Sequence, residues 1–332
     1  LFIYYFSKSV SDYNIYSMDD EKIFGSTFYN MSFKEAIDDP QIPVLPYKIL
    51  LTQSTMKDKD ENVRKQHALL NLLAENEGKT PRHNVNKIIS YHKDIASAKS
   101  FIGGNFEKIW TDNIKSVPYF EHINGANSAK VRKKILDGLD TSEKGVISNC
   151  RCLSEGIDTP SIDAVFFSDP KTNVIDIVQA TGRAMREDKH NPDKKYAYVV
   201  IPIIDSTNEQ GESFDNLIKI LHGLALTHDD VKKFINHLSQ SYKNNKNVKQ
   251  PDWIDFVPKL SKKDSQKIWK NIEISIAKAT LSVSKRPMPN NIKTTKGFYK
   301  TFSPSDLSLI SEEEALKKYE NTEGGAEKYI EN

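Results

Sequence analysis

Gln179-Ala180-Thr181-Gly182-Arg183-Ala184-Met185-Arg186 brings together the residue types that a polyphosphate site requires. Arginine stays charged and offers forked donors that match phosphate oxygens, which lysine cannot copy. Wound as a helix at about 100° per residue, Gln179, Gly182, Arg183 and Arg186 fall within an arc of roughly 100°. Val174, Val178, Thr181 and Met185 fill the opposite side as a core-facing stripe. The spacing therefore predicts one exposed face carrying an amide, two guanidinium groups and a glycine that admits close approach. Of 47 basic residues 40 are lysine and 7 arginine, so two arginines three apart are not background. The competing explanation is a solvated helix face with ion-paired arginines.

Two further segments have the chemistry of ligand loops. Cys150-Arg151-Cys152-Leu153-Ser154-Glu155-Gly156-Ile157-Asp158 follows a predicted strand. Gly156 lets a backbone approach closely, and Asp158 can accept hydroxyl hydrogen bonds, for example from a ribose; a plain structural turn explains Gly-x-Asp equally well. Ile123-Asn124-Gly125-Ala126-Asn127-Ser128 precedes a helix bearing Arg132 and Lys133. Asn127 or Ser128 serves as its N-cap, and the free N–H groups at such a helix start also attract phosphate.

Other motif-like features fail on context. Gly78-Lys79-Thr80 resembles the end of a phosphate loop, but a helix precedes it and Pro81 follows, where a P-loop needs a strand before and a helix after. Asp19-Asp20-Glu21 resembles a magnesium box without a phosphate loop upstream and reads as a surface turn. Cys150 and Cys152 lack a second Cys/His pair, so no metal site is expected. Among the histidines only His92, after a strand end, is placed to make a functional polar contact.

These residues need a scaffold, and the chain supplies a regular one. Strands are predicted at Tyr47–Thr52, Lys87–Tyr91, Tyr119–Ile123, Gly145–Asn149, Ala164–Phe167 and Tyr196–Ile203. Helices are predicted at Glu61–Glu77, Ile95–Phe106, Asn127–Leu139 and 174–187. This alternation indicates an α/β fold, a parallel sheet with helices on both faces, whose ligands bind beyond the carboxyl ends of the strands. The arginine helix is expected to project towards that carboxyl edge. Beyond 205 the pattern becomes mainly helical, with helices at Phe214–Leu226, Val231–Tyr242 and Ile268–Leu281 and a polar linker at 243–250. The expected organisation is 1–45 as a linker or the end of a preceding domain, 46–205 as the α/β domain, and 206–332 as a helical region with a frayed tail.

Composition narrows the setting. A net charge of +2 over 332 residues gives no global basic bias, so any nucleic-acid contact is local. Two cysteines make no disulfide framework and point to a reducing, cytoplasmic compartment. No apolar run is longer than Leu1 to Phe6, which is too short for a membrane span. The chain opens on Leu, which suggests a piece of something longer.

Arg132, the strand 145–149, the loop 153–158 and Gln179-x-x-Gly182-Arg183-x-x-Arg186 resemble motifs IV, V and VI of superfamily-two helicases, in that family's order and spacing. The resemblance covers roughly 45–205, the second of two RecA-like domains. Ser17-Met18-Asp19-Asp20-Glu21, Phe24-Gly25, Ser32 to Ile37, Asp163 to Phe167 and Asp176 to Gln179 bring it nearest to the helicases of type ISP-like restriction-modification proteins, in which a helical coupler follows the motor. The resemblance implies ATP with Mg2+ bound between two RecA-like domains, the Mg2+ held by a first domain that this sequence does not contain. It implies Arg186 as the arginine finger with Arg183 assisting, Gln179 and Gly182 at the nucleotide, and Gly156 and Asp158 on its ribose side. Tyr91, His92, Gly125, Asn127 and Ser154 would face a nucleic-acid backbone, DNA in the nearest group; nuclease and methyltransferase modules are possible companions. One departure is Cys150, where the family has Thr near the start of motif V. No P-loop is legible, so the chain alone is expected to be inactive. The alternatives are a non-catalytic nucleic-acid-binding or scaffold module on the same fold, and a dinucleotide-binding enzyme, which would need a Gly-x-Gly-x-x-Gly that is missing from the sequence.

Overall fold

Seven short runs rich in Ile, Val, Leu, Tyr and Phe pair side by side, and every pair is parallel. They are β1 (Tyr47–Gln53), β2 (Lys87–Tyr91), β3 (Pro118–Ile123), β4 (Lys144–Asn149), β5 (Ala164–Phe167), β6 (Ala197–Ile203) and β7 (Ile254–Val257), in the order β3-β4-β2-β5-β6-β1-β7. The computed structural model describes residues 31–54, 60–75, 81–103, 106–113, 118–150, 161–169, 174–204, 212–244 and 248–284. Met31–Leu281 form one compact unit. Parallel strands need covered crossovers, which accounts for strands such as β4 and β6 being buried along their whole length.

Side chains alternate between two apolar layers, as the period of two in a strand requires. On one face Leu50, Ile88, Val146, Ala164, Phe166 and Val200 pack against α2 (Glu61–Glu75), α3 (Ile95–Ile102) and α4 (Phe106–Asn113), with Phe101, Phe106 and Trp110 fully enclosed. On the other, Ile49, Leu51, Ile89, Val165, Phe167 and Val199 meet α5 (Ala129–Thr141), α6 (Val174–Ala184), α7 (Glu212–Ala225), α8 (Asp229–Lys243) and α9 (Lys262–Ser284). A short helix, α1 (Phe33–Asp38), opens with a reciprocal Ser32/Glu35 capping box.

The strands and helices read from the sequence are present among the described residues, and three differences stand out. The helix expected over Ile95–Phe106 stops at Ile102, where Gly103 donates its N–H to Lys99 O, and a separate α4 follows. The arginine helix ends at Ala184, short of Arg186. The described residues beyond 205 are mainly helical, yet they contribute β7, which pairs Ile49 with Ile254 and Thr52 with Val257. The pattern changes at 205, but the chain goes on packing against the same sheet. No helix among the described residues is long and apolar enough to cross a membrane.

Candidate functional site

A helix that follows a parallel strand must run back across the sheet, so α6 starts near the carboxyl edge and delivers its C-terminal end to the amino edge. Its buried stripe is Ile177, Ala180, Thr181, Ala184 and Met185, with Val178 only half-buried, which is turned away from the stripe expected from spacing. Gln179 and Gly182 are half-exposed, and Gly182 lies beside the Phe33 ring of α1, 3.8 Å from where a Cβ would stand. Arg183 is only 8% exposed, so it does not project from an open face. Arg186 is half-exposed and lies past the helix end, in an antiparallel bridge with Val44. Leu45 N–H donates to Met185 O at 2.6 Å and Glu187 N–H to Pro43 O at 3.3 Å. Since β1 begins at Tyr47, Arg186 stands at the amino edge of the sheet, and the expectation of a single arginine face at the carboxyl edge is corrected. The sequence alone could not show where the helix stops, and that decides where Arg186 goes.

The carboxyl edge holds the other candidates. Tyr91 ends β2 and is 3% exposed; His92 follows at 1%. Their rings are therefore internal supports and do not form a surface for nucleic acid, which corrects the expectation for both side chains. The His92 ring packs on Phe101 at 4.7 Å with Nε2 3.0 Å from Ser90 Oγ, and the His92 backbone N–H donates to Asn149 O. Asp169, just past β5, gathers the edge together. It pairs with Lys65 of α2 at 2.9 Å, accepts the Lys93 N–H at 3.1 Å, and lies 3.7 Å from His92 Nδ1. Burial opposes its charge, but His92, Lys65 and the Lys93 N–H outweigh that and hold its carboxyl below the usual carboxylate range. Burial likewise works against Lys65, and Asp169 and Glu61 overcome it and raise its pKa.

Next to this cluster the β3–α5 turn is open. Asn127 Oδ1 accepts from Asn124 N–H at 2.7 Å, and Asn124 Oδ1 accepts from Ala126 N–H at 2.9 Å. Ser128 caps α5 by accepting from Val131 N–H. Gly125 is exposed with open space where a side chain would go, and Lys130 and Lys133 are exposed on the first turns of α5. His122 braces the turn from beneath, within 3.0 Å of both Ser148 Oγ and Asn124 Nδ2. Burial, then Lys99 and the other ring, lower its pKa. An exposed helix start with spare N–H groups and nearby lysines suits an anionic backbone.

Ser154, Gly156 and Asp158 lie outside the described residues. Spacing arguments missed Lys65, Asp169 and Lys194 altogether; the position of Asp169 two residues after a strand end was the available signal. Among the described residues no group of three His, Cys, Asp or Glu side chains is arranged for a metal ion.

Residues 64–188 match the helicase conserved C-terminal domain family. "Probable helicase A859L" of African swine fever virus, isolate Pig/Kenya/KEN-50/1950, is 26% identical over 109 residues, which are 32% of this chain and 12% of the viral protein. The same protein of the Badajoz 1971 strain matches equally, at 26% over 109 residues, again 32% of this chain and 12% of that protein. Among solved structures, the ATP-dependent type ISP restriction-modification enzyme LlaBIII bound to DNA superposes with a TM-score of 0.62 at 22% identity, covering 85% of this chain and 21% of that one. The chain thus spans a small part of the proteins it resembles. Residues 64–188 of this chain thus match the helicase conserved C-terminal domain family, on a parallel α/β fold shared with the LlaBIII structure.

Proposed function

We propose that this chain is the C-terminal motor half of an ATP-dependent DNA helicase or translocase, working with a first RecA-like lobe in cis that holds the phosphates and Mg2+. The observation that carries the proposal is Arg186, half-exposed at the end of α6 inside the matched domain, with its main chain fixed on both sides. Its fully charged fork suits the γ-phosphate position of a bound nucleotide. Arg183, almost enclosed beside it, suits a supporting role, and Gln179 and Gly182 border the same end of the helix. When bound, ATP with Mg2+ supplies the phosphoryl group whose transfer drives the motor; the residues of this chain supply charge and position.

The nucleic-acid contacts belong to the opposite edge of the sheet, on Gly125, Asn127 and the start of α5, with Ser154 added by resemblance. A nucleotide at Arg186 and a strand at Gly125 would therefore be separated by the length of β1 or β2 and linked through α6 and the sheet. Relative movement of the two lobes on ATP turnover is the mechanism this separation serves. Because no phosphate loop is legible in the sequence, the 332-residue chain by itself should not turn over ATP.

The test is Arg186→Ala in the full-length protein. ATPase activity should vanish with folding retained, and near-normal turnover would overturn the proposal. DNA-stimulated ATPase from the purified 332-residue chain would overturn the claim that it is inactive alone.

A further inference from the structure

Among the described residues three lysines are buried: Lys65, Lys144 and Lys194. Lys65 has carboxylate partners, and Lys194 donates its ammonium to two main-chain carbonyls. Its Nζ donates to Ile162 O at 2.7 Å and to Arg186 O at 2.8 Å. Ile162 leads into β5, and Arg186 leaves α6, so one side chain ties the entry of a strand to the exit of the helix that follows it. Lys194 is itself held by a turn in which its N–H donates to Asn191 O at 3.1 Å.

Burial, offset in part by Asp163 and Asp188, brings Lys194 down to about 8. A buried ammonium is a costly way to fill space, and an apolar side chain of similar length would do it more cheaply. What methionine could not do is hold two carbonyls at once. A cation just past a helix C-terminus also complements the helix dipole. With the Val44 bridge on one side and the Lys194 ammonium on its carbonyl, the Arg186 main chain is fixed where its side chain departs.

We propose that Lys194 is a positioning residue for Arg186, setting the point and direction from which that guanidinium reaches its ligand. This rests on Arg186 acting at the ATP site. The experiment therefore measures ATP hydrolysis of the full-length protein as wild type, Arg186→Ala, Arg186→Lys, Lys194→Met and the Arg186→Lys/Lys194→Met double variant. Rates are normalised to the fraction of molecules that bind DNA, so that a loss of folded protein does not imitate a loss of kcat.

Lys194→Met should lower kcat by about 10- to 100-fold, the scale of an ångström-sized misplacement, with KM for ATP little changed. The double variant should be no slower than the slower single variant, because both changes act through one group. If Lys194→Met does not fold, Lys194→Gln, which keeps one donor, is measured in its place. Wild-type kcat in Lys194→Met, or additive losses in the double variant, would overturn the positioning role while Arg186→Ala remains inactive. Full turnover by Arg186→Ala would instead remove the ATP-site assignment itself.

Discussion

Lys65 and Asp169 stand 2.9 Å apart in an ion pair whose side chains are each 8% exposed, joining the first turns of α2 to the end of β5. Removing one member leaves the other charged and enclosed, at a cost of about 3–5 kcal/mol. Lys65→Met should therefore lower the urea midpoint strongly; a loss within experimental error would show that the pair is not carrying the edge. The depressed Asp169 pKa gives stability that is present above the unfolded value of about 3.9 and lost as pH falls through its lower folded value.

Histidines govern the range above that. Burial lowers the pKa of His222, and of His67, His122 and His228. The unfolded chain takes up these protons at about pH 6.5, before the folded chain does, so stability must decline as pH drops from 7.5 towards 5.5. His222→Gln should flatten that decline, measured as urea midpoints at the two pH values. An unchanged slope would remove His222 from the account.

Arg186→Ala should fold like wild type, because the Val44 bridge uses the main chain of residue 186 and not its side chain. Loss of an arginine finger typically costs about 10³-fold or more in turnover, so the two readouts should separate cleanly in thermal melts and ATPase assays.

Two glycines should respond oppositely to alanine. At Gly182 the new methyl meets only Phe33 at ordinary contact distance, and alanine favours a helix by about 1 kcal/mol, so Gly182→Ala should be as stable as wild type or better. At Gly145 it would lie 2.8 Å from Tyr119 O and 2.7 Å from Leu139 Cδ1, and a backbone carbonyl cannot step aside. Gly145→Ala should lose about 1–3 kcal/mol, the usual cost of overpacking. Equal melting temperatures for the two would contradict this.

Gly125→Glu adds a negative charge at an exposed position with open space around it. Thermal stability should hold, and DNA affinity should fall about tenfold, with a shallower dependence on salt. Unaltered binding across a salt series would place the nucleic acid elsewhere.

The α/β alternation was legible because most strands are short apolar runs and several helices carry side-chain caps, such as Asp94 for α3 and Ser128 for α5. The resemblance to helicases could be read from Arg132, the strand 145–149, the loop 153–158 and the Gln179 to Arg186 spacing taken in order. What spacing could not supply was the length of α6: one further turn would have kept Arg186 on the helix surface, and the Val44 bridge exists because it ends at Ala184. The resemblance implied Tyr91 and His92 as contacts, but the burial of Tyr91 beside Phe167, and of His92 against Phe101 and Asp169, is a tertiary matter. β7 escaped notice because Ile254-Asp255-Phe256-Val257 is four residues long and sits amid helices.

That small strand also sets where the lobe may be cut. Ile254 to Val257 covers the outer flank of β1, the strand whose upstream segment grips Arg186. A version of the protein trimmed at residue 205 would bare a row of amide and carbonyl groups along Ile49 to Thr52, an invitation to self-association. The shortest soundly behaved piece should run to the end of α9, well past the last recognisable motor signature.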